Sequence, residues 1–250
     1  MSTTLRTLAS EKEQSNREIQ SELFTHSPIH PNEQVAQVGL FQRRQELSKV
    51  LFFHEIYQKI LPVHGVIMEF GTRWGQNLTT LANLRGILEP YNYNRRIVGF
   101  DTFEGFEGIH EKDGTADFLK KGAFGVSDGY EQFLGKLIAT HEAESPLNHI
   151  RKFEICKGDA PAQLDAYLER NPQTLIAFAW FDFDIYAPTV ACLKRIKPYL
   201  VKGAVIGFDE LNDPGFPGET IALREVFETA DIKLQRNRYA AMQSYFVVGE

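Results

Sequence analysis

Two aspartates interrupt an apolar stretch of the chain. Asp182 and Asp184 lie in the segment AFAWFDFDIYAP, residues 177–188, whose other members are mainly aromatic and aliphatic. Because side chains alternate along a strand, residues two positions apart point to the same side, and we expect the two carboxylates to leave a strand together. Buried like charges raise each other's pKa or require a cation beside them. The pair therefore predicts a binding site that contains a positive charge.

Further acidic residues close other apolar runs. Asp101 follows RIVGF, and Asp209 and Glu210 follow GAVIGF. Runs of this β type alternate with helical patterns along the chain, which predicts an α/β fold with a mainly parallel sheet and helices on both faces. Ligands of such open sheets bind at the carboxyl ends of the strands. We expect the acidic residues to meet at that edge.

The elements that must position these residues follow from the hydrophobic periodicity. It predicts strands at 65–71, 96–103, 152–158, 174–183, 203–211, 232–237 and 244–249. It predicts helices at 33–60, 76–88, 130–142, 160–170, 188–200 and 218–230. Residues 1–32 are polar and are expected to form a flexible or loosely docked arm. Segment 104–128 is rich in glycine and has no clear period, which favours a functional loop or lid.

Composition limits the class of protein. A chain of 250 residues fits one α/β domain with additions. The formal net charge of −6 argues against a surface for duplex nucleic acid. Cys156 and Cys192 lie in apolar patterns and are expected to be reduced core thiols, so a cytoplasmic location is expected. No apolar signal region and no apolar run of spanning length is present, so no membrane association is expected.

A glycine-containing turn follows the first predicted strand. In EFGTRWG, Gly71 and Gly75 would let the backbone approach a ligand near the N–H groups of the next helix, although a tight turn alone would also require glycine. Arg73 occupies the place of the middle glycine in G-x-G-x-x-G, which argues against a pyrophosphate site. A nucleoside cofactor without a pyrophosphate is adenosylmethionine.

Two further strand ends fit that cofactor. Asp101 can accept hydrogen bonds from both hydroxyls of a ribose. Asp159, in KGDAPAQL, either caps the following helix or faces the amino group of an adenine. Ala160 follows it and is expected to share the pocket.

Four segments resemble the macrocin O-methyltransferase family: VIMEFGTRWGQN, VGFDTFEGF, AWFDFDIYAPT and GAVIGFDELNDPGFPGE. Members of that family are class I enzymes that depend on adenosylmethionine and a metal, and they methylate sugar hydroxyls in macrolide and aminocoumarin biosynthesis. The resemblance covers roughly residues 60–250. It implies a Rossmann-like methyltransferase sheet of seven strands. Gln76 and Asn77 replace the last two residues of the family's glycine loop, and Asp209–Glu210 replaces its Asp-Asp pair.

The resemblance implies a role for each candidate residue. Asp182, Asp209 and Glu210 would bind Mg²⁺, and Asp184 would be the general base. The residues that would bind adenosylmethionine are Glu69, Gly71, Gly75, Asp101, Asp159 and Ala160. Independently, converging carboxylates cannot all ionise without a cation, and oxygen ligands suit magnesium better than zinc. A cluster of salt bridges to a Lys or Arg, such as Arg73, is the alternative.

The division of the chain and its partners follow from the same resemblance. Residues 1–60 would form an N-terminal arm and helix, and residues 61–250 the methyltransferase domain, with 104–128 as the lid. The substrate would be a small molecule that contains a sugar, from natural-product or surface-glycan biosynthesis. Neither nucleic acid nor membrane is an expected partner, and the arm is a candidate surface for a homo-oligomer.

Three other functions remain open at the level of sequence. A nicotinamide oxidoreductase would use the same sheet but needs a pyrophosphate loop. A non-catalytic, methyltransferase-like binding protein would have no use for the carboxylates. A catechol or phenol O-methyltransferase also employs magnesium and a diol. His110, in the predicted lid, is the first alternative to Asp184 as the base.

Overall fold

The computed structural model describes residues 9–239 and 242–250. Seven strands form one sheet in the order β3-β2-β1-β4-β5-β7-β6. Their bounds are β1 Val66–Phe70, β2 Ile97–Asp101, β3 Phe153–Lys157, β4 Ile176–Phe181, β5 Leu200–Phe208, β6 Gln235–Arg236 and β7 Ser244–Val247. Neighbours among β1 to β5 are parallel, and β7 runs antiparallel to β5 and β6. The predicted sheet, mainly parallel and of seven strands, is confirmed.

Helices cover both faces of this sheet, as predicted. They are α1 Glu11–Thr25, α2 Pro31–Ala36, α3 Arg44–Ile60, α4 Gln76–Leu88, α5 Tyr130–Ala143, α6 Ala160–Arg170, α7 Tyr186–Ile196 and α8 Pro217–Val226. One core lies under α6, α7 and α8, which contribute Leu164, Leu193 and Leu223. The other core lies under α3, α4 and α5. No helix in the described ranges is long and apolar enough to cross a membrane.

Aromatic side chains form a row across four neighbouring strands, close to their carboxyl ends. Phe70 stacks on Phe100 at 5.0 Å and on Phe181 at 4.7 Å between ring centroids, and Phe181 stacks on Phe208 at 5.3 Å. All four rings are fully buried. Because large rings bury much area and interlock, the row fixes the relative positions of the strand ends that carry the acidic residues.

The N-terminal region differs from the prediction. Residues 1–8 of the predicted arm lie outside the described residues, but α1 occupies much of the rest, and a capping box joins Ser10 and Glu13 at its start. The continuous helix predicted over 33–60 is wrong. It is divided into α2, a 3₁₀ turn at Val38–Leu40 and α3, with Gly39 in the turn, where glycine favours an interruption.

Strand boundaries also differ at the functional edge. The fourth strand was predicted to reach residue 183 but ends at Phe181, so Asp182 and Asp184 lie in the following loop. The next helix begins at Tyr186 rather than 188, and β6 and β7 are shorter than predicted. Both cysteines are free and buried, as predicted.

Candidate active site

A cavity of about 1220 Å³ opens at the carboxyl ends of the parallel strands. It is lined by nearly all of the predicted site residues: Gly71, Gly75, Asp101, Asp159, Ala160, Asp182, Asp184, Asp209 and Glu210. Glu69 is the exception, since it lies fully buried and does not line the cavity. The structure thus brings the glycine turn and the acidic residues together at one place.

The glycine turn is packed against the loop that follows β4. A Cβ on Gly71, whose φ is +96°, would lie 2.0 Å from the carbonyl oxygen of Asp182. A Cβ on Gly75 would lie 2.4 Å from the side chain of Leu134 in α5. The backbone contact at Gly71 and the left-handed φ of +76° at Gly75 favour glycine, so local structure accounts for both residues without a ligand.

Asp101 holds the turn from the other side. Its Oδ2 accepts a hydrogen bond from the backbone N–H of Arg73 at 2.7 Å, and its Oδ1 accepts one from the N–H of Phe103 at 2.6 Å. Burial raises the pKa of this carboxyl above its usual value, although these N–H donors and the Arg73 guanidinium oppose the effect. Each carboxylate oxygen has a second lone pair, so Asp101 can still accept from a ligand in the cavity.

Glu69 lies beneath the turn. Its two carboxylate oxygens are buried and have no hydrogen-bond partner among the described residues. Burial, and then the charge of Asp182, raises the pKa of Glu69 well above its usual value. Burial of this kind favours the protonated, neutral form of the carboxyl.

Asp159 caps α6, since its Oδ2 accepts a hydrogen bond from the N–H of Ala162 at 3.1 Å. The capping interpretation of Asp159 is therefore confirmed. Asp159 and Ala160 nevertheless both line the cavity. A contact with adenine stays a prediction for these two residues.

Three carboxylates converge beside the turn. One oxygen from each of Asp182, Asp184 and Glu210 lies within 4.8 Å of the others. The prediction that the two aspartates leave one face of a strand together is wrong, because both residues follow the end of β4. Asp184 has a left-handed φ of +64°, so the chain turns between the two residues instead of continuing as a strand.

Glu219 of α8 stabilises that strained turn and was missed in the sequence. Its Oε1 accepts hydrogen bonds from the N–H groups of Phe183 at 3.1 Å and Asp184 at 3.3 Å. Arg73 and Phe124, which also line the cavity, have positive φ angles of 46° and 64°. Backbone strain of this kind concentrates at functional sites, where the surrounding structure holds it in place.

The carboxylates shift one another's titration. Burial, and then the charge of Asp209, raises the pKa of Asp182 to about 6. Burial, and then the charge of Asp182, raises the pKa of Asp184 to about 7. For Glu210 and Glu219, burial and the charge of Asp184 raise the pKa well above its usual value. Without a cation, this cluster therefore retains protons near neutral pH.

A salt bridge to a Lys or Arg, the alternative to a metal that the sequence left open, is present, and Lys49 rather than Arg73 makes it. The Nζ of Lys49 lies 3.0 Å from Oδ1 of Asp209 and 3.5 Å from Oδ2 of Asp182. Burial opposes the charge of Lys49, but the two aspartates outweigh it, so the pKa of Lys49 is raised. Burial likewise opposes the charge of Asp209, but Lys49 outweighs it and the pKa of Asp209 is lowered.

Asp182 and Asp209 each have a further amide donor. Asn77 donates to Oδ2 of Asp182 at 3.2 Å, and Gln243 donates to Oδ1 of Asp209 at 2.8 Å. Asn77 is one of the two positions at which the glycine loop departs from the family pattern. Its amide therefore connects that loop to the carboxylate cluster.

Part of the predicted lid segment, 104–128, lines the cavity. Phe106 lines the cavity, and its backbone forms hydrogen bonds with the N–H of Gly122 at 2.8 Å and the carbonyl of Ala123 at 3.0 Å. Asp113 is buried and accepts hydrogen bonds from the N–H groups of His110 and Tyr186. The segment is thus anchored at its base and near its middle. Closure over a ligand stays a prediction.

The N-terminal region forms part of the same wall. Glu13 and Arg17 of α1, together with Gln45 and Lys49 of α3, line the cavity. His110 also lines it, with its ring 4.8 Å from that of Tyr186. The sequence placed no functional residue in the first 60 positions, so this contribution was missed.

The parallel sheet, the glycine turn and the acid at the end of β2 define a class I methyltransferase, the fold class that uses adenosylmethionine. No protein-family profile matches the chain, and no curated protein does either. Solved structures do match. The calicheamicin methyltransferase CalS11 is 39% identical, with 100% of this chain and 98% of that chain covered and a TM-score of 0.95.

A second structure of CalS11, described as the apo form of a TDP-rhamnose 3'-O-methyltransferase in calicheamicin biosynthesis, is 38% identical. It covers 98% of this chain and 97% of that chain with a TM-score of 0.86. The O-methyltransferase NovP, at 16% identity, TM-score 0.61 and coverage of 80% and 79%, shares the fold. The chain belongs to the family of sugar O-methyltransferases, which confirms the resemblance found in the sequence.

Proposed function

We propose that the protein transfers the methyl group of adenosylmethionine to a hydroxyl of a sugar-containing small molecule, with Mg²⁺ and with Asp184 as the general base. The observation that carries the proposal is the shared cavity, in which the glycine turn and Asp101 lie beside Asp182, Asp184 and Glu210. Similarity to CalS11 over nearly the full length of both chains supports the substrate class.

The cofactor would lie at the ends of β1, β2 and β3. Asp101 is already oriented by two backbone N–H groups, so it can accept from ribose hydroxyls without rearrangement. Gly71 and Gly75 bring the backbone close to the cavity, and the start of α4 presents free N–H groups. Asp159 and Ala160 would contact the adenine.

The acidic residues fit a divalent cation. They offer only oxygen atoms, and Oε2 of Glu210 is buried with no hydrogen-bond partner in the described part of the chain. Asp182, Asp209 and Glu210 would hold the ion. Among the described residues, the three carboxylates whose oxygens lie within 4.8 Å of one another are Asp182, Asp184 and Glu210. When bound, the cation supplies positive charge that makes a substrate hydroxyl more acidic.

The chain's own residues perform the rest of the chemistry. Methyl transfer from a sulfonium needs no further activation of the methyl group, so the protein must align the hydroxyl with it and remove the proton. Asp184 would accept that proton, because its carboxylate lies within 4.8 Å of the oxygens of Asp182 and Glu210, where the substrate hydroxyl would be held. Phe106 and Phe124, which line the cavity, would exclude water.

The cavity has room for a second molecule. Its volume of about 1220 Å³ exceeds the range of about 300–1000 Å³ that is usual for one small ligand. Arg17, Arg73 and His110 line it, and Nε of Arg73 is buried with no hydrogen-bond partner among the described residues. An anionic group on the substrate would satisfy that donor. Nucleoside-diphosphate sugars, the substrate class of CalS11, are therefore the first to test.

Transfer of a labelled methyl group tests this function. The protein would be incubated with methyl-deuterated adenosylmethionine, Mg²⁺ and either nucleoside-diphosphate deoxyhexoses or a catechol, and the products analysed by mass spectrometry. We expect the label on a sugar hydroxyl. Label on the catechol alone would indicate the phenolic alternative, and bound adenosylmethionine without transfer to any acceptor would favour a binding protein.

A further inference from the structure

Lys49 occupies an unusual position for a lysine. It lies on the same side of α3 as Phe52, Phe53 and Ile56, at the i, i+3, i+4 and i+7 spacing of the buried stripe. The helix therefore carries its ammonium group inward, over the ends of β4 and β5. Among the described residues, both salt bridges of Lys49 are made with the acidic cluster, to Asp182 and Asp209.

Lys49 contacts only part of the carboxylate cluster. Four carboxylates line the site: Asp182, Asp184, Asp209 and Glu210. Lys49 forms salt bridges with Asp182 and Asp209. Asp182 belongs both to the group of three close carboxylates, with Asp184 and Glu210, and to the salt bridge with Lys49. A cation that uses Asp182 or Asp209 must therefore meet the charge of Lys49.

We propose that Lys49 is the internal counter-ion of the metal site, which holds Asp182 and Asp209 in the metal-free protein and competes with the divalent cation for them. The inference rests on the proposed metal site. Two like charges that share ligands repel, and at the effective dielectric of a protein interior this repulsion weakens binding of the second charge markedly. The lysine thus limits metal affinity and stabilises the site when the metal is absent.

A purely structural role for Lys49 predicts a different result. Methionine has a similar shape and would continue the apolar stripe. Removing one partner of a buried ion pair is destabilising in either case, because the other charge is left uncompensated, so a lower melting temperature in chelator does not separate the two roles by itself. If Lys49 is the counter-ion, metal relieves the charge left on Asp182 and Asp209 in Lys49→Met, and metal affinity rises. If Lys49 is purely structural, metal affinity stays at the parent's value.

The test measures metal binding directly. Binding of Mn²⁺, a spectroscopic substitute for Mg²⁺, would be followed by electron paramagnetic resonance for the parent protein, Lys49→Met and Lys59→Met. Lys59 lies on the same helix with its Nζ 5.6 Å from the ring centroid of Tyr245, and it does not line the cavity, so it is the matched control. Melting temperatures would be recorded in chelator and in excess Mg²⁺.

We expect Lys49→Met to bind Mn²⁺ at least about tenfold more tightly than the parent, from the lost like-charge repulsion. It should also melt lower than the parent in chelator and regain most of the difference with Mg²⁺, whereas Lys59→Met should match the parent in metal affinity. If Lys49→Met fails to fold, Lys49→Gln provides the neutral variant, and Lys49→Arg should keep the parent's affinity.

Other outcomes overturn the inference. Equal Mn²⁺ affinity in parent and Lys49→Met would remove Lys49 from the metal site but leave that site in place. Weaker binding in the variant would make Lys49 a residue that positions the ligands rather than a competitor. If neither protein binds Mn²⁺, the proposed metal site fails, and the inference fails with it.

Discussion

The backbone N–H of Arg73 donates to Oδ2 of Asp101 over 2.7 Å. The contact joins the glycine turn after β1 to the end of β2, so the cofactor side of the cavity depends on one carboxylate. The same carboxylate lines the cavity. Asp101 therefore holds the turn, and contact with the cofactor is its proposed second role, which substitution can test.

Asp101 substitutions should weaken cofactor binding. Asp101→Ala should lower the affinity for adenosylmethionine by about 1–3 kcal/mol, the usual cost of losing hydrogen bonds to a charged group. Asp101→Asn keeps one acceptor for the turn and should lose less. Isothermal titration calorimetry measures both, and Asp165→Asn, which alters an exposed salt bridge to Arg195, is the control. Unchanged affinity in Asp101→Ala would remove this residue from the cofactor site.

The stability of the metal-free protein should fall as pH rises. The folded-state pKa values of Asp182 and Asp184, about 6 and about 7, exceed their usual value of 3.8. Between pH 3.8 and these raised values, the folded protein binds more protons than the unfolded chain. The free energy of unfolding therefore decreases as the pH rises from about 4 to 7. Each whole-number difference in pKa between the folded and unfolded states changes the free energy of unfolding by about 1.4 kcal/mol, or the melting temperature by about 3–5 °C for a chain of this size.

Thermal melts in chelator between pH 5 and 8 check this dependence. Added Mg²⁺ should raise the melting temperature more at pH 8 than at pH 5, since protons compete with the cation for the carboxylates. Asp184→Asn, which removes one of the shifted groups, should flatten the profile. A melting temperature in chelator that rises over this range would contradict the assigned directions.

The segment 104–128 should respond to ligand. Its base is fixed by the hydrogen bonds between Phe106 and residues 122 and 123, and Asp113 ties its middle to α7. Cleavage is therefore expected between these anchors, at residues 114–121, and should slow when adenosylhomocysteine binds. Limited proteolysis with mass spectrometry measures it. The same cleavage rate with and without the ligand would make the segment a structural insertion.

Local patterns in the sequence predicted most of the sheet. Strands β1, β2 and β4 are almost wholly buried, as is the second half of β5, so the apolar character of these runs alone marked them. Helix α1 was missed because none of its residues is buried and its apolar pattern is weak. The Ser10-x-x-Glu13 capping box was the available signal.

The acidic residues of the site were predicted because each follows an apolar run. Their partners were not, because the contacts span long stretches of chain: Lys49 lies 133 positions before Asp182, and Glu219 lies 36 after Phe183. No local pattern encodes such pairings. The sequence held one indication for Lys49, because this lysine falls within the apolar stripe of a helix. A buried cation at such a position requires an anion beside it.

A homo-oligomer formed through the N-terminal region stays a prediction. Large apolar side chains of α1 are exposed there, including Leu23 and Phe24.

The separation of metal ligand from general base is the most direct test of the proposed chemistry. Single-turnover methyl transfer would be measured at saturating adenosylmethionine over a Mg²⁺ titration, for the parent, Glu210→Gln and Asp184→Asn, with cofactor binding recorded on the same samples. Glu210→Gln should recover part of its rate as Mg²⁺ rises, by mass action. Asp184→Asn should bind the cofactor normally yet remain about 10²–10⁴-fold slower at every Mg²⁺ concentration, the usual value of general base catalysis. A rate for Asp184→Asn equal to that of the parent, or parent activity that persists in excess chelator, would contradict the account.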